Sequence, residues 1–229
     1  LTVYEKSHTP AWFSTGVLYQ IFPDRFHRLS IPDPKGMVGD RWVHKNWNEA
    51  QVWKPDEKGI IRNCDFFGGS LEGITAKLDD LADMGVTILY LNPIFEAASN
   101  HRYNTADYSV IDPMLGTEAD FKALCDAAHE KGMKIILDGV YSHTGSDSLY
   151  FNKNRTFPGM GAFHSKTSPY YDWYTFYDYP HSYNCWWNFD TLPTVNKMHP
   201  SFLNYIIDDE DSVVAHWLKL GADGFRLDV

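Results

Sequence analysis

Thr117-Glu-Ala-Asp-Phe-Lys-Ala-Leu-Cys-Asp-Ala-Ala-His-Glu-Lys-Gly-Met-Lys-Ile-Ile-Leu-Asp-Gly-Val140 decides the fold class. Thr117 followed three residues later by Asp120 is a capping-box pattern, because a hydroxyl and a carboxylate can satisfy free N–H groups of a first helical turn. Phe121, Leu124, Cys125 and Ala128 recur at helical spacing, and Gly132 supplies a stop. Lys134 to Val140 is then a nearly unbroken apolar run, the pattern of a strand buried on both faces. The stretch predicts a helix feeding a parallel strand.

The same unit occurs on either side. Upstream, Leu71, Ile74, Leu78, Leu81 and Ala82 form a helical stripe over Ser70–Met84 that ends at Gly85, and Thr87-Ile-Leu-Tyr-Leu91 follows as a strand. Before it, Val17 to Phe22 is a short β-type run stopped by Pro23-Asp24, and residues 27–65 read as a long surface excursion without a period. Downstream, Ser201–Leu220 predicts a third helix with Phe202, Tyr205, Ile206, Val213, Trp217 and Leu220 inward and Gly221 as its stop. Gly224 to Val229 is a fourth strand. The order β-α-β-α-β-(insert)-α-β implies a parallel sheet covered by crossover helices. No G-x-G-x-x-G follows the first strand, which argues against a dinucleotide fold and favours a (β/α)8 TIM barrel.

Composition removes several function classes. Twenty basic against thirty acidic residues give a net charge of −10, so the chain lacks the footprint of a nucleic-acid binder. No apolar run is long enough to span a bilayer. The three cysteines, Cys64, Cys125 and Cys185, are too scattered for a disulfide framework or a zinc site, and the compartment stays open between cytoplasmic and secreted. Aromatic residues reach 16%, which fits either a surface that stacks sugars or a Phe-rich core.

Polar residues gather where strands end, the side on which ligands sit in barrels. The second strand runs into Asn92-Pro93 and then Ser99-Asn-His-Arg-Tyr-Asn-Thr-Ala-Asp-Tyr108; the third runs into Asp138-Gly-Val-Tyr-Ser-His143. Arg226 and Asp228, two apart, share one face of the fourth strand. Taken singly, Asp138 also reads as a turn cap, Tyr103 as packing, His143 as a satisfied polar residue, and Arg226 with Asp228 as a structural ion pair. Together they suggest acid–base or nucleophilic work on an uncharged substrate. A metal hydrolase built on Asp138, His143 and Asp228 is a weaker alternative, because one His makes a poor zinc site.

At these residues the sequence resembles the α-amylase superfamily of retaining glycoside hydrolases, within it the neopullulanase, cyclomaltodextrinase and maltogenic amylase group. The likeness is carried by Val17 to Phe26, Asp65-Phe-Phe-Gly-Gly69, Leu91-Asn-Pro-Ile-Phe95, Asn100 to Tyr108, Asp138 to His143, Leu192-Pro-Thr-Val-Asn196 and Gly224 to Val229. It implies α-1,4-glucosidic bond cleavage in starch-derived oligosaccharides, cyclodextrins or pullulan, or else a catalytically inactive glucan-binding relative. It implies Asp228 as nucleophile, Arg226 as the cation that keeps it ionised, and Asp138 as the structural carboxylate orienting Arg226. His101 and His143 are implied to bind sugar hydroxyls, Tyr103 to lie under the sugar ring, and Trp187, with Trp186, to be a sugar platform. No cofactor is required; Ser142 stands where the family carries a calcium-binding Asn, which counts against a structural calcium. The partner is an α-glucan, with no nucleic acid and no membrane.

The resemblance also implies a division of the chain. Residues 1–15 are expected to be the end of a preceding domain and a linker, with Leu1–Tyr4 a strand and Ser7–Phe13 linker. Residues 16–140 are expected to start the barrel, 141–196 to be an inserted domain, and 197–229 to add the third helix and fourth strand. A retaining glycosidase needs two carboxyl groups about 5–5.5 Å apart, and the family's general acid follows the fifth strand. The expectation is therefore the N-terminal half of a catalytic barrel, inactive alone, that needs the remainder of its polypeptide.

Overall fold

A computed structural model describes residues 9–229, so the strand expected at Leu1–Tyr4 lies outside the described residues. Its centre is a four-stranded sheet of β1 (Leu18–Ile21), β2 (Ile88–Leu91), β3 (Lys134–Gly139) and β4 (Gly224–Leu227). All pairings are parallel and the strands lie in chain order, with Leu91 opposite both Ile21 and Leu137, and Asp138 opposite Arg226. A doubly wound sheet reverses strand order at its switch point; this one does not.

The two faces of the sheet differ, as the period of two requires. Leu89, Leu91, Ile135 and Leu137 point into the main core with the helices, whereas Ile88, Tyr90 and Ile136 form a small separate cluster on the other face. Trp12, from a short helix Ala11–Thr15, packs against that second cluster. Within the described part of the stretch expected as linker, Ala11–Phe13 belong to this helix, and the Trp12 indole covers apolar side chains of the sheet.

Around the helix Glu118–Glu130 the prediction is met in detail. Thr117 and Asp120 form the capping box, Phe121, Leu124, Cys125 and Ala128 are buried, and Gly132 has φ +73°. The helix expected over Ser70–Met84 comes in two pieces, Leu71–Thr75 and Leu78–Asp83. The turn tightens where Lys77 N donates to Ile74 O, yet Leu71, Ile74, Leu78 and Leu81 still reach one core.

The continuous helix expected over Ser201–Leu220 is a correction. Pro200–Leu203 is α-helical, Asn204–Asp208 widens into a π turn, and the chain leaves the helix at Asp209 before restarting at Val213–Leu220. Asp208-Asp209-Glu210-Asp211 explains the break: four adjacent carboxylates repel one another, and Ser212 Oγ caps a new helix by accepting from Ala215 N. Phe202, Ile206, Val213 and Trp217 are buried, while Tyr205 and Leu220 are only partly so.

Residues 27–65 are pinned by charge rather than by periodic packing. Asp24 accepts from Phe67 N and Gly68 N, and Arg28 donates to His44 O and Phe67 O. Deeper, Asp112 receives Arg41 through two contacts of 2.8 Å and Arg102 at 3.2 Å, all three side chains being at most 1% exposed. Burial works against the Asp112 charge, but the two guanidiniums prevail and hold its carboxyl below the usual carboxylate range. The long excursion is thereby fixed against the Ser99–Tyr108 segment.

The 141–196 stretch holds an aromatic network in which Phe151 meets Phe163, Tyr174, Phe176 and Tyr183. Tyr108 Oη donates to Val140 O and His143 O at 2.7 and 2.9 Å, which ties the stretch to the end of β3.

Candidate active site

The C-terminal ends of β2, β3 and β4 deliver polar side chains to the face opposite the helices. Asp138 and Arg226 are register partners on neighbouring parallel strands, so their side chains emerge together. Arg226 Nη1 donates to Asp138 Oδ1 at 3.0 Å and to Asp228 Oδ1 at 2.6 Å. Asp138 Oδ2 accepts from Tyr90 Oη at 2.5 Å and from Tyr103 Oη at 2.7 Å. Asn92 Nδ2 donates to Tyr103 Oη, and Gln20 Nε2 donates to Asn92 Oδ1, so the network crosses all four strands.

This geometry separates the two aspartates. Asp138 is 1% exposed and accepts from three donors, the setting of a structural anion. Asp228 is held by Arg226 and lines the cleft. Burial opposes the Arg226 charge, but Asp138 and then Asp228 outweigh it and raise its pKa, so the cation between them is permanent. Burial, and then the bond to Asp138, push the Tyr90 phenol up to about 12 and move Tyr103 upward as well; both stay protonated donors.

The histidines are fixed as particular tautomers. His143 Nε2 lies 3.1 Å from Tyr103 O, which can only accept, so the ring proton is on Nε2 and Nδ1 accepts from Ser142 Oγ at 2.9 Å. His101 Nδ1 accepts from Tyr103 N at 3.1 Å, which puts its proton on Nε2. Burial first, then Arg102 and His143, push the His101 imidazole down to about 4, and burial lowers His143 too. Both rings are neutral hydrogen-bonding groups at pH 7.

His101, Tyr103, His143 and Asp228 line one cleft of about 1000 Å³, and Trp186, Phe189 and Leu192 are in the same lining. Trp186 faces the His143 ring at 5.4 Å. Trp187 lies outside the lining, 79% exposed and at φ +49°, so of the tryptophan pair the inner one meets the cleft. Tyr90, Asn92 and Trp186 belong to the site, although sequence reasoning gave Tyr90 no role and placed Asn92 only at the strand end. Their signal was present: Tyr90 and Asn92 are two apart on a strand whose end carries ligand-facing groups.

Ser142, which stands where the resemblance places a calcium-binding Asn, turns its hydroxyl to His143. Among the described residues no group of three or more His, Cys, Asp or Glu side chains is placed together to hold a metal ion, and the oxygens of Asp138 accept from Tyr90, Tyr103 and Arg226.

The parallel sheet, with its strands in chain order, is that of an α/β domain of the TIM-barrel type. The chain belongs to the α-amylase family: the model described as "Alpha amylase, catalytic domain" matches residues 20–229. It is 44% identical over 260 residues to an amylopullulanase of Thermoanaerobacterium thermosulfurigenes, covering 100% of this chain and 14% of the relative. Neopullulanase 2 of Thermoactinomyces vulgaris is 36% identical, covering 96% of this chain and 35% of that protein. Among solved structures, the cyclic α-maltosyl-(1→6)-maltose hydrolase of Arthrobacter globiformis superposes with a TM-score of 0.76 at 33% identity, over 96% of this chain and 45% of that one. The chain therefore spans between 14% and 45% of the length of these relatives.

Proposed function

We propose that this chain supplies the nucleophile half of a retaining glycosidase that cleaves α-1,4-glucosidic bonds in maltooligosaccharides, cyclodextrins or pullulan. The observation that carries the reading is the Asp138–Arg226–Asp228 relay, which leaves one carboxylate saturated and the other at the cleft. Asp228 attacks the anomeric carbon as the bond from that carbon to the leaving oxygen breaks. The leaving oxygen takes its proton from a second carboxyl group, and water then cleaves the glycosyl–Asp228 ester with that group acting as base.

Asp138 does not serve as the second group, because it is buried and its oxygens already accept from Tyr90, Tyr103 and Arg226. The acid is proposed to lie on a further strand of the same polypeptide, beside the β1 and β4 edges of the sheet. Arg226 donates to Asp228 Oδ1 at 2.6 Å and so orients that carboxylate at the cleft. His101 offers its Nε2–H to a sugar hydroxyl, and His143 does so by sharing the Nε2–H that reaches Tyr103 O. Tyr103 presents its ring to the sugar with its hydroxyl anchored on Asp138. The names of the relatives, a neopullulanase and a hydrolase of a cyclic maltosyl-maltose, support this substrate class.

The test is Asp228→Asn in the polypeptide with its complete barrel. Turnover of maltohexaose should fall by at least about three orders of magnitude, an effect of the size seen when a catalytic nucleophile is lost, while maltohexaose still binds. Retained turnover removes Asp228 from the role.

A further inference from the structure

The cleft is also lined by Ile60, Ile61, Arg62, Asn63 and Cys64, from the long excursion between β1 and β2. Ile60 and Ile61 are 51% and 55% exposed, adjacent, and directed to no core cluster. A single exposed aliphatic side chain needs no explanation, but an adjacent pair on a rigid tip in a cleft does.

The tip is rigid because Asp56 organises it. Asp56 N donates to Ile60 O, and Gly59 N donates back to Asp56 O, with Gly59 at φ +76°. Asp56 Oδ1 accepts from Lys58 N and Ile60 N, and Asp56 Oδ2 accepts from Arg62 Nε at 2.8 Å. The base is equally fixed, since Asn100 N donates to Asn63 O and Asn100 Nδ2 to Asp65 O. Asn100 precedes His101, so the aliphatic pair stands in a set position relative to the sugar-facing residues.

We infer that the Asp56–Arg62 hairpin is a specificity wall whose Ile60 and Ile61 pack on the C–H face of a glucosyl unit remote from the scissile bond, favouring long glucans over short ones. Sugar rings present flat C–H patches between their hydroxyls. The two isoleucines supply the matching apolar surface, and the Arg62 guanidinium beside them supplies N–H donors. This inference rests on the glycosidase reading, yet it is a statement about binding and can fail separately.

The experiment is calorimetric titration of maltose and maltohexaose into the Asp228→Asn polypeptide with its complete barrel, with and without I60S/I61S. Maltohexaose affinity should fall about fivefold to tenfold, the size of effect expected from losing apolar contact equal to one or two methylenes. Maltose affinity should change less than about twofold on the same scale. Asp56→Ala, which releases the tip without touching the isoleucines, should reproduce the pattern, and I60V/I61V should restore binding. Equal losses for the two sugars, or no loss for either, overturn the wall. Failure of the parent polypeptide to hydrolyse any α-glucan would instead overturn the glycosidase reading, since the titration does not depend on turnover.

Discussion

Asp138→Asn is the most informative single change to the site. The substitution keeps the shape and removes the charge. Its amide oxygen can still accept from Tyr90 and Tyr103, whose hydroxyls now lie 2.5 and 2.7 Å from Oδ2. Its amide nitrogen must then face Arg226 Nη1, a donor at 3.0 Å from the present Oδ1, so the pair changes from attraction to repulsion. Removing one partner of a buried pair costs about 3–5 kcal/mol. Arg226 is 43% exposed in its side chain, so water takes back part of that, and a loss of about 2 kcal/mol is expected.

The assay is urea unfolding of the polypeptide with its complete barrel, read as a lower midpoint at an unchanged slope. A cycle with Arg226→Gln should show coupling of at least about 1 kcal/mol, because the two residues share one contact. Turnover should fall at least about tenfold as well, since Arg226 no longer has a second anchor holding it beside Asp228. A stability change under about 0.5 kcal/mol, within the range of an ordinary surface substitution, would refute the view that Asp138 is a structural anion anchoring Arg226.

Other outcomes follow from the same geometry. The His101 imidazole, pushed down to about 4 from a usual 6.5, should show an NMR titration midpoint below about pH 5; a midpoint near 6.5 contradicts its burial. Because that pKa is depressed, the stability linked to His101 is complete above pH 6.5 and is lost as pH falls from there toward 4, when only the unfolded chain takes the proton. Asp112→Asn should cost about 3–5 kcal/mol, measured by the same unfolding assay, because it leaves Arg41 and Arg102 buried with no counter-charge. Arg41→Met with Arg102→Met in the Asp112→Asn background should recover much of that loss.

The strands and the capped helix were legible because local and tertiary signals agreed there. In Glu118–Glu130 the cap, the stripe and the stop all specify one helix, and the structure follows them. Ser201–Leu220 misled because the apolar spacing continued across Asp208–Asp211, where charge repulsion and the Ser212 cap outweigh it. The excursion of residues 27–65 carried no period to read, since its order comes from Asp24, Arg28 and Arg41 reaching partners distant in sequence. Asp138, Arg226 and Asp228 were legible as charges at strand ends. Their division into anchor, cation and cleft-facing carboxylate came only from the family resemblance and not from the charges themselves, because it depends on Tyr90 and Tyr103 arriving from another strand and its loop.

One measurement bears most directly on the assignment of Asp228. A slow-turnover fluorinated α-glucosyl fluoride should be incubated with the polypeptide carrying the complete barrel, which is then digested and its peptides sequenced by mass spectrometry. The relay predicts one added glycosyl group, as an ester on Asp228 and not on Asp138. A glycosyl group on Asp138 or another residue, or full turnover with no covalent species at all, would contradict it.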